Sequence, residues 1–309
     1  MLTAEVRRKI SMTNVNKEYR AAVEMIDDVS VARARALGVT LDYSNLPSIG
    51  SALPELWHWI LFWPLTATNE LGPDGHPKKR GVLPDLGLPR RMWAGGRLKF
   101  HSAIEIGQVI RRSSTVTNVE EKSGRTGRLG FVTVRHLLKI GNSVVIEEEQ
   151  DIVYREAYVP GAAVPQPTRA PTEYLWKREI APTETMLFRY SALTFNSHRI
   201  HYDREYALHQ EGYPNLVVHG PFVATLLLDL VRRKAPESVV KTFTFKAVRP
   251  TFLGNSFTVC GQPSSDGKTI ELWAKDNEGW LTMRAQAEVG GLRELNRDTF
   301  KGNHDADNS

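Results

Sequence analysis

A chain of 309 residues with 41% hydrophobic and 24% charged content suits one large or two ordinary soluble domains and supplies enough apolar side chains for a sizeable core. The formal charge of +5 is spread along the chain and forms no tail, so it suits an anionic small ligand; no nucleic-acid-binding motif accompanies it, and nucleic acid is not an expected partner. The only cysteine, Cys260, excludes an intramolecular disulfide and a multi-cysteine metal site and fits a reducing compartment.

The N-terminal stretch Met1 to Ile10 lacks the apolar core of a secretory signal. Nothing approaches the roughly 18 to 20 consecutive apolar residues of a membrane helix, and the longest apolar run, Leu56 to Trp63, is closed by Pro64. A cytoplasmic location is expected, or the mitochondrial matrix in a eukaryote. A helix is predicted over 17–37, where Ala22, Val23, Met25, Ile26, Val29 and Val31 form an apolar stripe. Pro47, Gly50 and Pro54 then mark a loop, and a second helical segment is predicted from Ser51 to Pro64. The stretch from Gly72 to Pro89, rich in Gly, Pro and charge, reads as a surface loop.

From Arg97 the pattern changes to strands: Gly96 to His101, Glu105 to Ile110, Ser114 to Val119, then Leu129 to Ile140 turning at Gly141-Asn142 into Ser143 to Gln150. Such a run of hairpins implies an antiparallel sheet. Residues 159–172, with Pro160, Pro165, Pro167 and Pro171, read as a linker. The second half repeats the order: a short helix from Asp203, its N-cap, to Glu211, a longer one from Phe222 to Lys234, then strands at Lys241 to Val248, Ser256 to Cys260, Lys268 to Ala274 and Trp280 to Val289. Phe100 to Gly107 echoes Phe245 to Gly254. Two helix-and-sheet units make the chain α+β.

Chemistry gathers in one place. The stretch Tyr190 to Asp203 carries Asn196, His198, His201 and Asp203, and Val218-His-Gly-Pro221 follows, opening the apolar run Phe222 to Val231. Imidazoles near a helix that begins with glycine and proline can move protons and offer backbone N–H groups to an oxyanion. The spacing His198-x-x-His201, with Asp203 or His219 as third ligand, also has metal-ligand chemistry, although it is common by chance.

The segment Thr194-Phe-Asn-Ser-His-Arg-Ile-His-Tyr-Asp203 with His219-Gly-Pro221 resembles the active-site segment of MaoC-like (R-specific) enoyl-CoA hydratases. It is more closely similar to the branch of mesaconyl-C4-CoA and itaconyl-CoA hydratases and type 2 hydroxyacyl-thioester dehydratases. The resemblance implies a double hotdog, in which each antiparallel sheet wraps a helix: an N-terminal unit over 1–158 without the catalytic motif, the linker 159–172, a catalytic unit over 173–292 and a polar tail over 293–309. It implies a hydro-lyase that reversibly adds water to a short or branched 2-enoyl-CoA, with the C5 dicarboxylyl thioesters mesaconyl-C4-CoA and itaconyl-CoA, which give citramalyl-CoA, among the candidates, or a 3-hydroxyacyl-thioester dehydratase of fatty-acid synthesis. A hotdog thioesterase or a non-catalytic acyl-CoA-binding protein is the reading from another class.

The partner implied is an acyl-CoA or acyl-carrier-protein thioester, with no cofactor and no metal. Hotdog units pair, either within this chain or in a homodimer. His201 is then the main acid–base group, and the backbone N–H of Gly220 polarises the thioester carbonyl. The simpler hydratases read Asp-x-Asn-x-x-His. Aligned on His201, Asn196 stands at the Asp position and His198 at the Asn position; an alternative alignment keeps Asn196 as the motif Asn with Thr194 at the Asp position, which leaves the general base open. Arg199 and Arg189 are candidates for a substrate carboxylate, with His219 beside them, and Arg199 equally suits a pair with Asp203. Arg232, Arg233 and Lys234 are candidates for the CoA phosphates, as are the arginines of Arg90 to Arg97, a segment common in that branch.

Overall fold

The computed structural model describes residues 21–78, 81–124, 127–161 and 166–290. The N-terminal decapeptide, residues 17–20 of the first predicted helix, Pro165 of the linker and the tail over 293–309 lie outside the described residues. The β-rich stretches pair into one antiparallel ten-stranded sheet. The first half supplies β1 (Val23–Asp28), β2 (Arg90–Phe100), β3 (Val109–Gly124), β4 (Gly127–Ile140) and β5 (Ser143–Arg155); the second supplies β6 (Trp176–Ile180), β7 (Val240–Ala247), β8 (Phe257–Pro263), β9 (Thr269–Asp276) and β10 (Leu281–Val289).

The order β1-β3-β4-β5-β2-β7-β10-β9-β8-β6 is the same motif read from both edges. Each half runs first, third, fourth, fifth, second. Their two second strands meet at the centre, where β2 pairs antiparallel with β7 from Gly95↔Lys246 to Lys99↔Thr242. This is a double hotdog. The echo noted in the sequence belongs to it: Gly107 and Gly254 each close the segment between the second and third strands of their half, and both have φ of +100°.

The described residues form four α-helices: α1 (Val31–Thr40), α2 (Glu184–Thr194), α3 (Arg204–His209) and α4 (Gly220–Lys234). Their starts follow capping rules, since Ser30, Thr183 and Asp203 accept from the N–H groups of Arg33, Met186 and Tyr206. Helix α4 is buried from Phe222 to Val231 and packs on β6, β8, β9, β10 and β2. Among the described residues the first half has no helix of that length. The space it would occupy becomes available to a ligand.

Three predicted features are corrected. The helix over 17–37 is instead a strand, β1, followed by α1: Val23-Glu-Met-Ile-Asp-Asp28 pairs with Val109 to Ser114 of β3, and a sheet edge outcompetes a helical stripe that only its sequence neighbours support. The segment from Ser51 to Pro64 forms only a 3-10 turn over Trp57–Ile60, because Leu56 and Phe62 both take left-handed conformations. The strands expected at Glu105 to Ile110 and Ser114 to Val119 are one strand, β3, which starts at Val109 after a turn at Ile106-Gly107; helix α2 and strand β6, whose Trp176–Ile180 pairs with Phe257–Gly261 of β8, are further elements.

The basic end of α4 is committed to the fold. Asp229, fully buried, receives hydrogen bonds from Tyr43 (2.5 Å), Arg178 (2.8 Å) and Arg233 (2.7 Å), while Arg232 reaches Glu55. Arg232 and Arg233, candidates for the CoA phosphates in the sequence, hold α4 to the segments around it. A buried carboxylate with this many donors satisfies its desolvation requirement.

At two positions of the central seam, Gly95 and Gly96, no side chain fits. A Cβ on Gly95 would lie 2.6 Å from the Phe245 carbonyl oxygen, and one on Gly96 would lie 2.9 Å from both the Glu149 oxygen and the Phe245 ring. Gly95→Val is expected to cost about 1–3 kcal/mol through overpacking, read as a lower urea midpoint. A wild-type midpoint would mean that β2 and β7 do not approach this closely.

Candidate active site

The second half builds a histidine cluster at the wall of a cavity of about 1100 Å³ lined by both halves. Helix α2 ends at Thr194, and Phe195 turns the chain with φ of +50°. Asn196 Oδ1 then accepts from the His198 backbone N–H at 3.0 Å, a local turn that such a short amide side chain favours. The following 3-10 turn, Arg199–His201, buries Ile200 and His201.

His201 Nδ1–H donates to the Val217 carbonyl at 2.7 Å. A carbonyl only accepts, so this bond sets the tautomer and leaves Nε2 with its lone pair. Burial pushes the imidazole down to about 4, against the pull of that carbonyl, with the charge of His76 adding to the fall. The ring stacks on His219 at 3.6 Å and 17°. His219 is itself buried, bonded through Nε2 to the Ser191 hydroxyl at 2.8 Å, and held well below the usual histidine range by burial and by His201 and His198. His198 meets His201 edge-on at 5.6 Å, and burial followed by the charges of His76 and His201 drives it to about 2. At neutral pH these three rings are uncharged.

Gly220 begins α4 after His219, with Pro221 next and no side-chain cap. The first N–H groups of that helix have no intrahelical acceptor and carry the positive end of its dipole. A Cβ on Gly220 would meet only the Trp93 oxygen, at 3.8 Å. Packing does not require glycine here, and the open side of the position is the cavity.

The fold brings together His198, His201, His219, Asn196 and Gly220, all lining the cavity. Arg199 and Arg189 are not among its lining residues. Arg199 donates twice to Asp203 (2.9 and 2.7 Å) and once to the Pro73 carbonyl, and lies over the Tyr206 ring; of its two sequence readings the scaffold pair is the one present. Arg189 is exposed on α2.

Two groups of residues were missed by sequence reasoning. The first is Asp74 and His76, in the stretch read as a surface loop. Asp74 Oδ2 and His76 Nδ1 are 2.8 Å apart, and the His76 ring lies 4.1 Å from that of His198. Burial alone would raise the Asp74 carboxyl, but the hydrogen bond and charge of His76 outweigh it and hold it at about 2. The only sequence signal was Gly72-Pro-Asp-Gly-His-Pro77, which looks like turn chemistry. Asp74, His76 and His198 also bring one donor atom each within 4.8 Å of one another, the one metal-compatible grouping among the described residues; the sequence pairing of His198 with His201 and Asp203 is not part of it.

The second is the wall made by the first half. Ser114, His136 and Glu148 are cross-strand neighbours on β3, β4 and β5, and Arg112 lies two residues from Ser114 on the same face. Glu148 accepts from Trp59 (2.9 Å) and Gln150 (2.8 Å) and pairs with His58 at 3.0 Å. Arg112 sits over the Phe62 ring at 4.6 Å with its Nε–H unpartnered, and burial lowers its affinity for a proton despite the charges of Glu148 and Asp27. No carboxylate among the described residues lies within ion-pair distance of it.

Comparison with known proteins follows this geometry. Residues 56–253 match the family model described as hydroxyacyl-thioester dehydratase type 2. The chain is 45% identical to the mesaconyl-C(4)-CoA hydratase of Chloroflexus aurantiacus, over 86% of this chain and 94% of that protein. Among solved structures, HtdX of Mycobacterium tuberculosis superposes with a TM-score of 0.64 at 16% identity, over 86% of this chain and 98% of that one. A MaoC-like dehydratase from Phytophthora capsici gives 0.61 at 12% identity, over 88% and 96%. At these identities the two structures bear on the fold alone. No helix among the described residues is long and apolar enough to cross a membrane.

The neutral imidazoles make stability depend on pH. His201 and His136 are both lowered to about 4 by burial, so the unfolded chain binds more protons than the folded one between roughly pH 4 and 6.5, and stability falls as pH falls through that window. Each is expected to cost about 2 kcal/mol between pH 7.5 and pH 5, measured by urea unfolding. A flat profile would mean that these rings titrate as they do in the unfolded chain.

Proposed function

The chain belongs to the hydroxyacyl-thioester dehydratase type 2 family, and from that premise we propose that it is a hydro-lyase that reversibly adds water to a short or branched 2-enoyl-CoA. The observation that carries this reading is His201, held in one tautomer by Val217 beside the open N-terminus of α4. Hydration needs a base for water and a donor to the thioester oxygen as enolate charge develops. His201 Nε2 takes the water proton, and the Gly220 N–H binds the oxyanion. His219 stacks on His201 and fixes its ring plane, while Asn196 and His198 form the turn that carries it.

The 45% identity to a mesaconyl-C(4)-CoA hydratase supports a C5 dicarboxylyl-CoA as substrate, with citramalyl-CoA as the hydrated product. Such a substrate carries a carboxylate besides the thioester. Arg112, on the cavity wall without an ion-pair partner among the described residues, supplies a cation for it, since Arg199 is already bound to Asp203. The family supports the same chemistry run toward dehydration of a 3-hydroxyacyl thioester, which faster turnover of long straight chains would favour.

The test is loss of enoyl-thioester absorbance with crotonyl-, mesaconyl-, itaconyl- and a long-chain enoyl-CoA. A dicarboxylyl substrate is expected to lead, and His201→Ala to lose on the order of 10²-fold or more. Release of free thiol without hydration would instead make it a thioesterase. Binding without turnover would make it an acyl-CoA-binding protein.

Two variants refine the assignment. Gly220→Ala should fold normally, given the space at that position, yet lose activity because its methyl enters the cavity. Arg112→Met should lower kcat/KM for the dicarboxylyl substrate by about tenfold or more, the worth of a hydrogen bond to a charged group, and leave crotonyl-CoA nearly unchanged. Equal losses on both substrates would remove Arg112 from carboxylate recognition.

A further inference from the structure

Hydration also requires a group that delivers a proton to Cα, and the motif does not provide an evident one. An amide at 196 cannot transfer a proton, and its Oδ1 is used by the His198 backbone. His219 has its Nε2 on Ser191. His198 lines the cavity as well, but burial and the charges of His76 and His201 keep it from holding the extra proton that a general acid gives up.

We propose that the second acid–base group is His76, with Asp74 as its positioning carboxylate, so that the catalytic centre is assembled from both halves of the chain; this rests on the hydratase reading above. Three independent observations support it. Asp74 and His76 form a carboxylate–imidazole dyad at 2.8 Å, the arrangement that holds an imidazole in one orientation and stabilises its cation. Both residues line the same cavity as His201 and Gly220. The loop is also fastened to the catalytic turn, because the Arg199 N–H donates to the Asp74 carbonyl at 2.9 Å and the Ser197 hydroxyl to the Gly75 carbonyl at 2.5 Å.

Gly75 is what lets the two segments meet. Its φ is +88°, and a Cβ there would lie 1.9 Å from the Ser197 carbonyl oxygen, so the contact is between backbones and admits no side chain. A loop that served only as surface would not need this approach. Its effect is to hold the His76 ring against His198 at 4.1 Å, and His198 in turn meets His201 at 5.6 Å.

The proton count closes with these groups. In hydration His201 Nε2 takes a proton from water as the water oxygen bonds to Cβ, and the π electron pair moves onto the thioester, giving an enolate held by the Gly220 N–H. The enolate pair then forms the Cα–H bond with the proton carried on His76 Nε2, while Nδ1 stays bonded to Asp74. One water has been added. His201 holds the proton taken from water and His76 has given one up, and exchange with solvent resets both.

The experiment compares the full-length protein with His76→Ala and Asp74→Asn on whichever enoyl-CoA the wild type turns over. Expected are a fall in kcat on the order of 10²- to 10⁴-fold for His76→Ala with KM changed less than threefold, partial recovery on adding free imidazole, and a smaller fall for Asp74→Asn that imidazole does not relieve. Should His76→Ala fail to fold, His76→Asn carries the same test, because its amide can still donate to Asp74 but cannot transfer a proton. A kcat within threefold of wild type overturns the proposal, as does a loss confined to KM. Activity abolished by a chelator and restored by a divalent cation would overturn it in favour of a metal held by Asp74, His76 and His198. A wild type inactive on every enoyl-CoA would sink the hydratase reading itself, a result distinguishable from failure of the dyad alone.

Discussion

The structure depends on the hydrogen-bonded ladder between β2 and β7. Each half is a five-stranded unit whose second strand would be an exposed edge, and an unpaired edge invites association with another chain. Here the two edges satisfy each other, from Gly95↔Lys246 to Lys99↔Thr242. Gly95 and Gly96 make this possible by carrying no Cβ toward Phe245 and Glu149. One continuous sheet results, and the cavity of the histidine cluster receives residues from both units. The same pairing fixes the N-terminal loop around Asp74 in reach of the C-terminal histidines.

The electrostatics of the cavity follow from burial more than from charge pairing. His198, His201 and His219 lose their positive charge because desolvation penalises it, which makes His201 a base at neutral pH without a carboxylate partner. Asp74 and Glu148 go the other way and stay ionised in spite of burial, because each has a histidine at hydrogen-bond distance. Neutral imidazoles, a helix N-terminus and a few localised charges share one apolar enclosure, where each interaction with a ligand is stronger than in water.

The two halves have divided labour by the length of one helix. Helix α4 packs on the sheet of the second half and presents its N-terminus to the cavity, whereas the described residues of the first half place α1 and two 3-10 turns, Trp57–Ile60 and Thr68–Glu70, between its first two strands. What remains on that side is a polar wall built on β3, β4 and β5, with Arg112, His136 and Glu148 on one face. A half that looks non-catalytic by motif thus lines the cavity with a guanidinium without a described ion-pair partner and with two carboxylate–imidazole pairs, Asp74–His76 and Glu148–His58.

The sequence by itself determined most strands of both meanders, the turn with His201, the start of α4 at Gly220 and the role of Asp203 as a cap, because each rests on local periodicity or on neighbours within a few residues. It also carried the family resemblance, since that motif is contiguous. Tertiary structure decided the rest. Val23–Asp28 became a strand because a distant edge was available, Arg199 was taken by Asp203 and Pro73, and Asp74 with His76 came to the site from more than a hundred residues away in sequence. Local pattern records what a segment prefers alone; which polar groups meet inside a cavity is set by long-range backbone pairing, and a turn-like stretch such as Gly72 to Pro77 carries no mark of the partner it will touch.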